Sequence, residues 1–267
     1  MHKSFSYKLS ILAFAGALFL ADPITARAAE PITPDTFDYV EYADRYPDLK
    51  QNLGYNKDLL WMYYQSFGSQ TDRQPAVTPA AYLNQQNFNW EAYAAANPDV
   101  AACFGKDPAL LLAHYLNAGY KEGRLAFGLD EVTDSKCKAY AIAHQITDPA
   151  MSEREKIKAV HDWIIQNTSY DYDRYLSKTV PHSSHTMAGV MQYKVAVCDG
   201  YTRTFQFFMD VLGILCKCQS GAGHAWNIVK VDGSWYRVDC TYDDPIYLYN
   251  GVRRETLTYN YFMLPEK

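Results

Sequence analysis

Three residues whose types suit nucleophilic catalysis follow one another in the second half of the chain. Cys198 is followed twenty-six residues later by His224 and forty-one residues later by Asp239. A thiol, an imidazole and a carboxylate in this order can serve as nucleophile, base and orienter. Cys198 sits in Val197-Cys198-Asp199-Gly200-Tyr201, ahead of Tyr201, Phe205, Phe208 and Leu212. Those spacings of four, three and four predict a buried helical stripe, with Gly213 as its stop. Cys198 is therefore expected at a helix N-terminus, where the partial positive charge favours the thiolate and Asp199 opposes it slightly.

A hairpin is expected to bring the other two together. Residues 214–219 read as a strand and Gly221-Ala222-Gly223 as a turn. Asp232-Gly233 then lies between two apolar-alternating runs, 225–231 and 234–239, a strong hairpin signal. If those two residues form the loop, Val231 faces Ser234, Trp226 faces Asp239 and His224 faces Thr241. His224 and Asp239 become diagonal neighbours on one face, roughly 7–8 Å apart by backbone position, which side chains can close. Cys240 falls on the opposite face, so it is a poor rival nucleophile. A bulge in the hairpin would break this register. Taken singly, each residue has an ordinary reading: a small buried hydrophobe, a structural histidine, a turn-forming aspartate.

The elements before this region have their own pattern. Ser152-Glu153-Arg154-Glu155 is a capping box, starting a helix that runs to about Asn167 with Ile157, Val160 and Ile164 on one face. Residues 134–145 read as another helix, and 170–185 as a long polar loop. Upstream, residues 37–73 and 88–124 repeat with a constant offset. Phe37 matches Phe88, Tyr42 matches Tyr93, Pro47-Asp48 matches Pro98-Asp99, Gly68 matches Gly119 and Arg73 matches Arg124. Such self-similarity marks a repeated supersecondary unit. Each unit reads as two short helices, with Asn97-Pro98-Asp99 as a break. The tyrosines suit a sugar- or cell-wall-binding face or a helix core, and the core reading is favoured.

Bulk properties bound the rest. The chain has 267 residues, 48% hydrophobic and 21% charged, with a net charge of −5. That is globular composition, and it lacks the basic footprint of a nucleic-acid binder. Residues 1–28 read as a secretory signal peptide: Lys3 and Lys8, an apolar run over 9–20, then Ala26-Arg27-Ala28 as cleavage site. The run is short for a membrane anchor. A secreted or cell-surface protein with no stable span after cleavage is expected. Export permits disulfides among the six cysteines. Cys103 with Cys137, and Cys216 or Cys218 with Cys240, are possible bridges, and the sequence does not fix the connectivity. Cys216-Lys217-Cys218 lacks the second ligand pair of a zinc site. The expected organisation is the signal peptide, two helical repeats within 29–128, and a catalytic domain over 129–267.

Two resemblances follow from these motifs. The repeats resemble a short helical unit attached to many exported bacterial proteins, with His114-Tyr115 and Glu122-Gly123-Arg124 matching well. The first copy departs, with Tyr63 for the histidine and Thr71-Asp72 for Glu-Gly. Residues 182–245 resemble the core of the transglutaminase-like superfamily. The residues that carry this are Ala188-Gly189-Val190, Val197-Cys198-Asp199-Gly200-Tyr201, Gly221-Ala222-Gly223-His224-Ala225-Trp226-Asn227, and the run from Asp232 through Asp239-Cys240-Thr241-Tyr242 to Pro245. Asp162-Trp163 and Tyr170-Asp171 fit bacterial members. Tyr242 departs from a common Trp.

The resemblance implies an α+β fold, papain-like, with helices packed on an antiparallel sheet. It implies Cys198 as nucleophile, His224 as base and Asp239 as orienter of acyl transfer on peptide or isopeptide bonds through a thioester. The Cys198 N–H is expected as one oxyanion donor, with Gln192 a candidate second. Trp226 and Tyr170 are candidate cleft residues. No cofactor and no metal are expected. The expected partner is a protein or peptide, with cell-wall and surface proteins among the candidates, and the repeats are candidates for cell-surface attachment. A non-catalytic surface-adhesion module on the same fold is the rival reading.

Overall fold

The structure is a computed structural model that describes residues 32–34, 36–68, 71, 73–249 and 252–266. The signal-peptide reading of residues 1–28 lies outside the described residues. Among the described residues, no helix is long and apolar enough to cross a membrane.

The N-terminal part is helical. Helices α1 (Tyr39–Arg45), α2 (Pro47–Leu53) and α3 (Lys57–Ser66) are followed by α4 (Trp90–Ala96), α5 (Pro98–Phe104) and α6 (Pro108–His114), each starting 51 residues after its counterpart. Each unit thus has three helices, not two. Pro47 and Pro98 do not end the structure. They open a new helix at the first position, where a missing N–H goes unnoticed. The paired motif residues meet. Asp48 binds Arg73 at 2.7 Å, and Asp99 binds Arg124 at 2.6 Å. Tyr42 and Tyr93 are fully buried, and a Cβ on Gly68 or Gly119 would overlap their hydroxyls. The aromatic residues Phe37, Tyr42, Phe88, Tyr93 and Tyr115 are core.

The remainder is α+β. Helix α7 (Glu131–Ile146) precedes α8 (Glu153–Gln166), whose capping box is formed: the Ser152 N–H donates to Glu155 Oε2 at 2.8 Å and the Glu155 N–H to Ser152 Oγ. Strand β1 (Ser169–Tyr170) pairs in parallel with β2 (Val195–Ala196). Between them, the stretch expected as a loop holds α9 (Tyr172–Ser177) and a tight turn at His182–His185. Helix α10 (Cys198–Leu212) follows, ending on Gly213 in the left-handed conformation. Strands β3 (Cys216–Gly221), β4 (His224–Val231), β5 (Ser234–Val238) and β8 (Phe262–Pro265) form an antiparallel sheet in the order β3-β4-β5-β8. A separate hairpin joins β6 (Ile246–Tyr249) and β7 (Val252–Glu255).

The β4–β5 ladder runs from Asn227↔Val238 to Val231↔Ser234 without slippage. Asp232 and Gly233 both have positive φ, the geometry of a tight two-residue hairpin. The sheet does contain a bulge, at Arg237/Val238, but on the β8 side of β5. The register that matters is untouched.

Helix α10 packs its stripe on the sheet and on α7 and α8. Phe205, Phe208 and Met209 are fully buried, each contributing about 1.5–3 kcal/mol by removal from water. The second helical unit shares this core. Tyr120 meets Tyr140 at 5.8 Å, and Tyr140 meets Phe207 of α10 at 5.4 Å. The first unit has its own cluster around Tyr42 and Leu60.

Candidate active site

The N-terminus of α10 is fixed by a close approach. The Val197 N–H donates to the Ser184 carbonyl at 2.9 Å, and a Cβ on Gly200 would strike that same carbonyl. Ser184 is tied to Asp171 at 2.7 Å, and Asp171 follows β1. The short β1–β2 pairing therefore sets Tyr170 beside the start of α10. A small cleft opens there, lined by Tyr170, Tyr175, Cys198, Ala222, Gly223, His224, Thr241 and Tyr242.

His224 opens β4, just after a tight turn in which Ala222 and Gly223 have positive φ. Asp239 lies one residue past β5. The continuous register brings them into contact: His224 Nε2 is 2.8 Å from Asp239 Oδ2. In the neutral imidazole, Nε2 carries the proton donated to the carboxylate, and Nδ1 holds the basic lone pair. Asp239 is 1% exposed. Its Oδ2 also accepts from Arg237 Nη2 at 2.8 Å, and its Oδ1 from the Tyr242 N–H at 3.1 Å. The Tyr242 ring stacks on His224, with centroids 4.1 Å apart and planes 12° apart.

The loop carrying Asp239 and Tyr242 is anchored at its far end. Asp243 accepts from Thr258 Oγ1 at 2.9 Å and from the Tyr261 N–H, and is 3.1 Å from Nε2 of the buried His161. Asp244 accepts from the Tyr201 hydroxyl of α10 at 2.6 Å. An anchored loop holds the imidazole between a fixed carboxylate and a fixed ring.

Cys198 behaves differently from the helix-terminus expectation. Burial pushes its thiol up to about 12, and the adjacent Asp199 adds to this. The backbone N–H groups of Ala225 and Asp199 work in the other direction without prevailing. Desolvation of a thiolate outweighs a helix-end partial charge of half a unit. Asp199 itself is engaged by His185 Nδ1, 2.9 Å from both carboxylate oxygens.

Other expected site residues divide. Tyr170 lines the cleft. Trp226 does not. It lies beside His224 at 5.9 Å between centroids, with the Arg237 guanidinium 4.4 Å over its ring. Gln192 is not an oxyanion donor. Its amide N–H groups go to Asp134 and Ser135 of α7, and Lys138 donates to its carbonyl at 2.7 Å. Cys240 is buried away from the cleft. None of the possible bridges is formed: Cys103, Cys137, Cys216, Cys218 and Cys240 are free thiols, as is Cys198. Among the described residues, no group of three or more His, Cys, Asp or Glu residues is placed to hold a metal ion.

The hairpin register places Thr241 opposite His224 without giving it a role, and sequence reasoning does not single out Tyr175 or Arg237. Arg237 lies in β5 two residues before Asp239, so strand alternation marks it as a same-face neighbour.

The cleft holds the Cys198 thiol and the His224 imidazole, with the Asp239 carboxylate in contact with that imidazole, on a transglutaminase-like fold. Residues 140–240 match the model of the Transglutaminase-like superfamily, and this core carries that fold. The chain is 24% identical to Kyphoscoliosis peptidase of Mus musculus over 169 residues, covering 57% of this chain and 24% of that protein. It is also 24% identical to Kyphoscoliosis peptidase of Homo sapiens over 131 residues, covering 43% of this chain and 18% of that protein. The chain thus spans about a quarter or less of the curated relatives it matches. A solved structure described as "Crystal structure of a TGase" aligns with 57% of this chain and 37% of its own, at 18% identity and a TM-score of 0.32.

Proposed function

We propose that this protein is a thiol acyl-transfer enzyme acting on peptide or isopeptide amide bonds. The observation that carries the reading is the 2.8 Å contact of His224 Nε2 with Asp239 Oδ2 beside a cleft shared with Cys198. It leaves Nδ1 as the nitrogen that serves the thiol.

With its lone pKa pushed up to about 12 by burial, Cys198 is a thiol at neutral pH unless its proton has a nearby acceptor. His224 Nδ1 takes that proton as the sulfur attacks the amide carbonyl. Asp239 stabilises the imidazolium so formed and keeps the ring in the right tautomer. The tetrahedral oxyanion is met by backbone N–H groups at the uncapped start of α10, Cys198 among them. The carbon–nitrogen bond then breaks, His224 returns the proton to the leaving amine, and a thioester remains. Water or a primary amine attacks the thioester, giving hydrolysis or transfer and regenerating the thiol.

The peptidase name of the relatives supports an amide-bond substrate. The reading extends to export, on the strength of residues 1–28 of the sequence, and to a protein or peptide substrate at the cell surface. A peptide library incubated with the full protein, with and without a primary amine, tests the activity. Mass spectrometry is expected to show cleavage, deamidation or cross-linking that Cys198→Ala abolishes. Products that persist in Cys198→Ala would contradict the assignment, and no product from any library would favour an adhesion module.

A further inference from the structure

We infer that Thr241 is a substrate-binding residue of this cleft, its hydroxyl hydrogen-bonding a peptide group that flanks the bond Cys198 attacks. This contact rests on the acyl-transfer reading and names what holds the acyl donor.

The hydroxyl has no partner in the resting protein. Thr241 is 6% exposed and lines the cleft together with Cys198 and His224. Its Oγ1 is buried and makes no hydrogen bond. Other threonines of the chain bond a nearby carbonyl: Thr147 Oγ1 donates to Ala143 at 2.7 Å, and Thr204 Oγ1 to Gly200 at 2.8 Å. A buried polar group left unpaired costs stability, so each one calls for a physical reason. Among the described residues, Thr241 alone both lines the cleft and holds a buried side-chain polar atom without a partner. A second cost sits in the same wall. Ala222 has a φ of +51°, which an L side chain adopts only under strain. Such costs cluster where a ligand is held.

The turn around Thr241 is already committed. The Tyr242 N–H goes to Asp239 Oδ1, the Asp243 N–H to the Asp239 carbonyl, and the Asp244 N–H to the Thr241 carbonyl at 3.3 Å. Asp239 Oδ2 is taken by His224 and Arg237. These bonds fix the Thr241 backbone and leave its side chain rotation about χ1, whose staggered wells exchange oxygen and methyl. A group seated in the cleft can therefore draw the hydroxyl out. The lining residues include no Asp, Glu, Lys or Arg, so the wall suits an uncharged polar group. A hydroxyl both donates and accepts, and a peptide group offers it a carbonyl or an N–H.

The test uses full-length protein and two thiol reagents, read at the Cys198 peptide by mass spectrometry. Acetyl-dialanyl chloromethyl ketone carries peptide groups beside its electrophilic carbon, and methyl methanethiosulfonate carries none. Thr241→Val removes the hydroxyl and keeps the shape. It is expected to raise the KI of the ketone about threefold to tenfold, the share of one hydrogen bond. The change is expected in KI rather than in kinact, and only with the ketone. Thr241→Ser is expected to restore KI. The melting temperature of Thr241→Val is expected to equal that of the parent or exceed it by a few degrees, because the hydroxyl it loses has no partner. An unchanged KI in Thr241→Val, with Cys198 labelled as in the parent, overturns the inference and leaves the acyl-transfer reading standing. A melting temperature several degrees lower, or no folded protein, shows a hydroxyl already in structural use and overturns it as well. Cys198 left unlabelled by both reagents in the unsubstituted protein overturns the acyl-transfer reading, and the inference with it.

Discussion

His224 and Tyr242 lie ring on ring, with centroids 4.1 Å apart and planes inclined by 12°. Tyr242 also gives its backbone N–H to Asp239. One residue therefore holds both His224 and Asp239. Removing the ring frees the imidazole to swing, and a stacked pair contributes about 1 kcal/mol. Tyr242→Ala is expected to lower kcat/KM about fivefold to tenfold, while Tyr242→Phe keeps most of the activity. Steady-state kinetics on any peptide substrate checks this.

Asp239 selects the tautomer of His224. An amide at this position can present its NH2 to Nε2, which moves the ring proton to Nδ1 and leaves no base facing Cys198. Asp239→Asn is expected to cost on the order of a thousandfold in kcat, with the fold retained by circular dichroism. A loss under tenfold would remove Asp239 from the mechanism.

Cys198 supplies a pH dependence. Its thiol is pushed up to about 12 by burial and by Asp199, so ionisation at neutral pH requires a base to take its proton, the role proposed for His224. In His224→Gln, alkylation of Cys198 is expected to be slow at pH 7–8 and to climb only above about pH 10. The unsubstituted protein is expected to show substantial reactivity already near neutrality. Rates of iodoacetamide labelling against pH, read at the Cys198 peptide, make the comparison.

Asp210, near the end of α10, offers a stability test away from the cleft. Burial raises its carboxyl to about 7, against a donated hydrogen bond from Gln206 at 2.9 Å. A carboxyl raised on folding contributes stability that is complete below the unfolded value near 4 and is lost as pH rises through the folded one. Thermal stability is therefore expected to fall between pH 5 and pH 8, by on the order of 2 kcal/mol. Asp210→Asn should flatten that dependence.

How much of this was readable in the chain depends on the range of the forces. Turn chemistry and periodicity are local, so the Asp232-Gly233 hairpin, the Ser152 capping box and the α10 stripe with its Gly213 stop follow directly from neighbouring residues. The contact of His224 with Asp239 follows from them too, because the register carries it. The extents shifted by small amounts: α7 begins at Glu131 rather than 134, and β3 spans Cys216–Gly221 rather than 214–219. The errors lie where tertiary surroundings decide. Pro47 and Pro98 read equally well as breakers or first helical residues, and only packing chose the latter. Helix α9 is short and polar, with no residue of it buried, so periodicity gave no sign of it. Gln192 was six residues from Cys198 in sequence, but α7 supplies Asp134, Ser135 and Lys138, which hold it away from the cleft. The charge preference of Cys198 divides in the same way: the helix end is local and favours the thiolate, whereas burial, which opposes it, comes only with the tertiary fold.

A catalytic Cys198 must be activated rather than merely present. Competitive labelling tests it most directly: full-length protein, limiting iodoacetamide, pH 7, with peptide mass spectrometry quantifying each cysteine over time. Cys103 is exposed, whereas Cys198 is only partly accessible, so access alone favours Cys103. Cys198 is expected to be labelled faster than Cys103, with that advantage gone in His224→Gln. Cys103 labelled as fast as Cys198 or faster would contradict it.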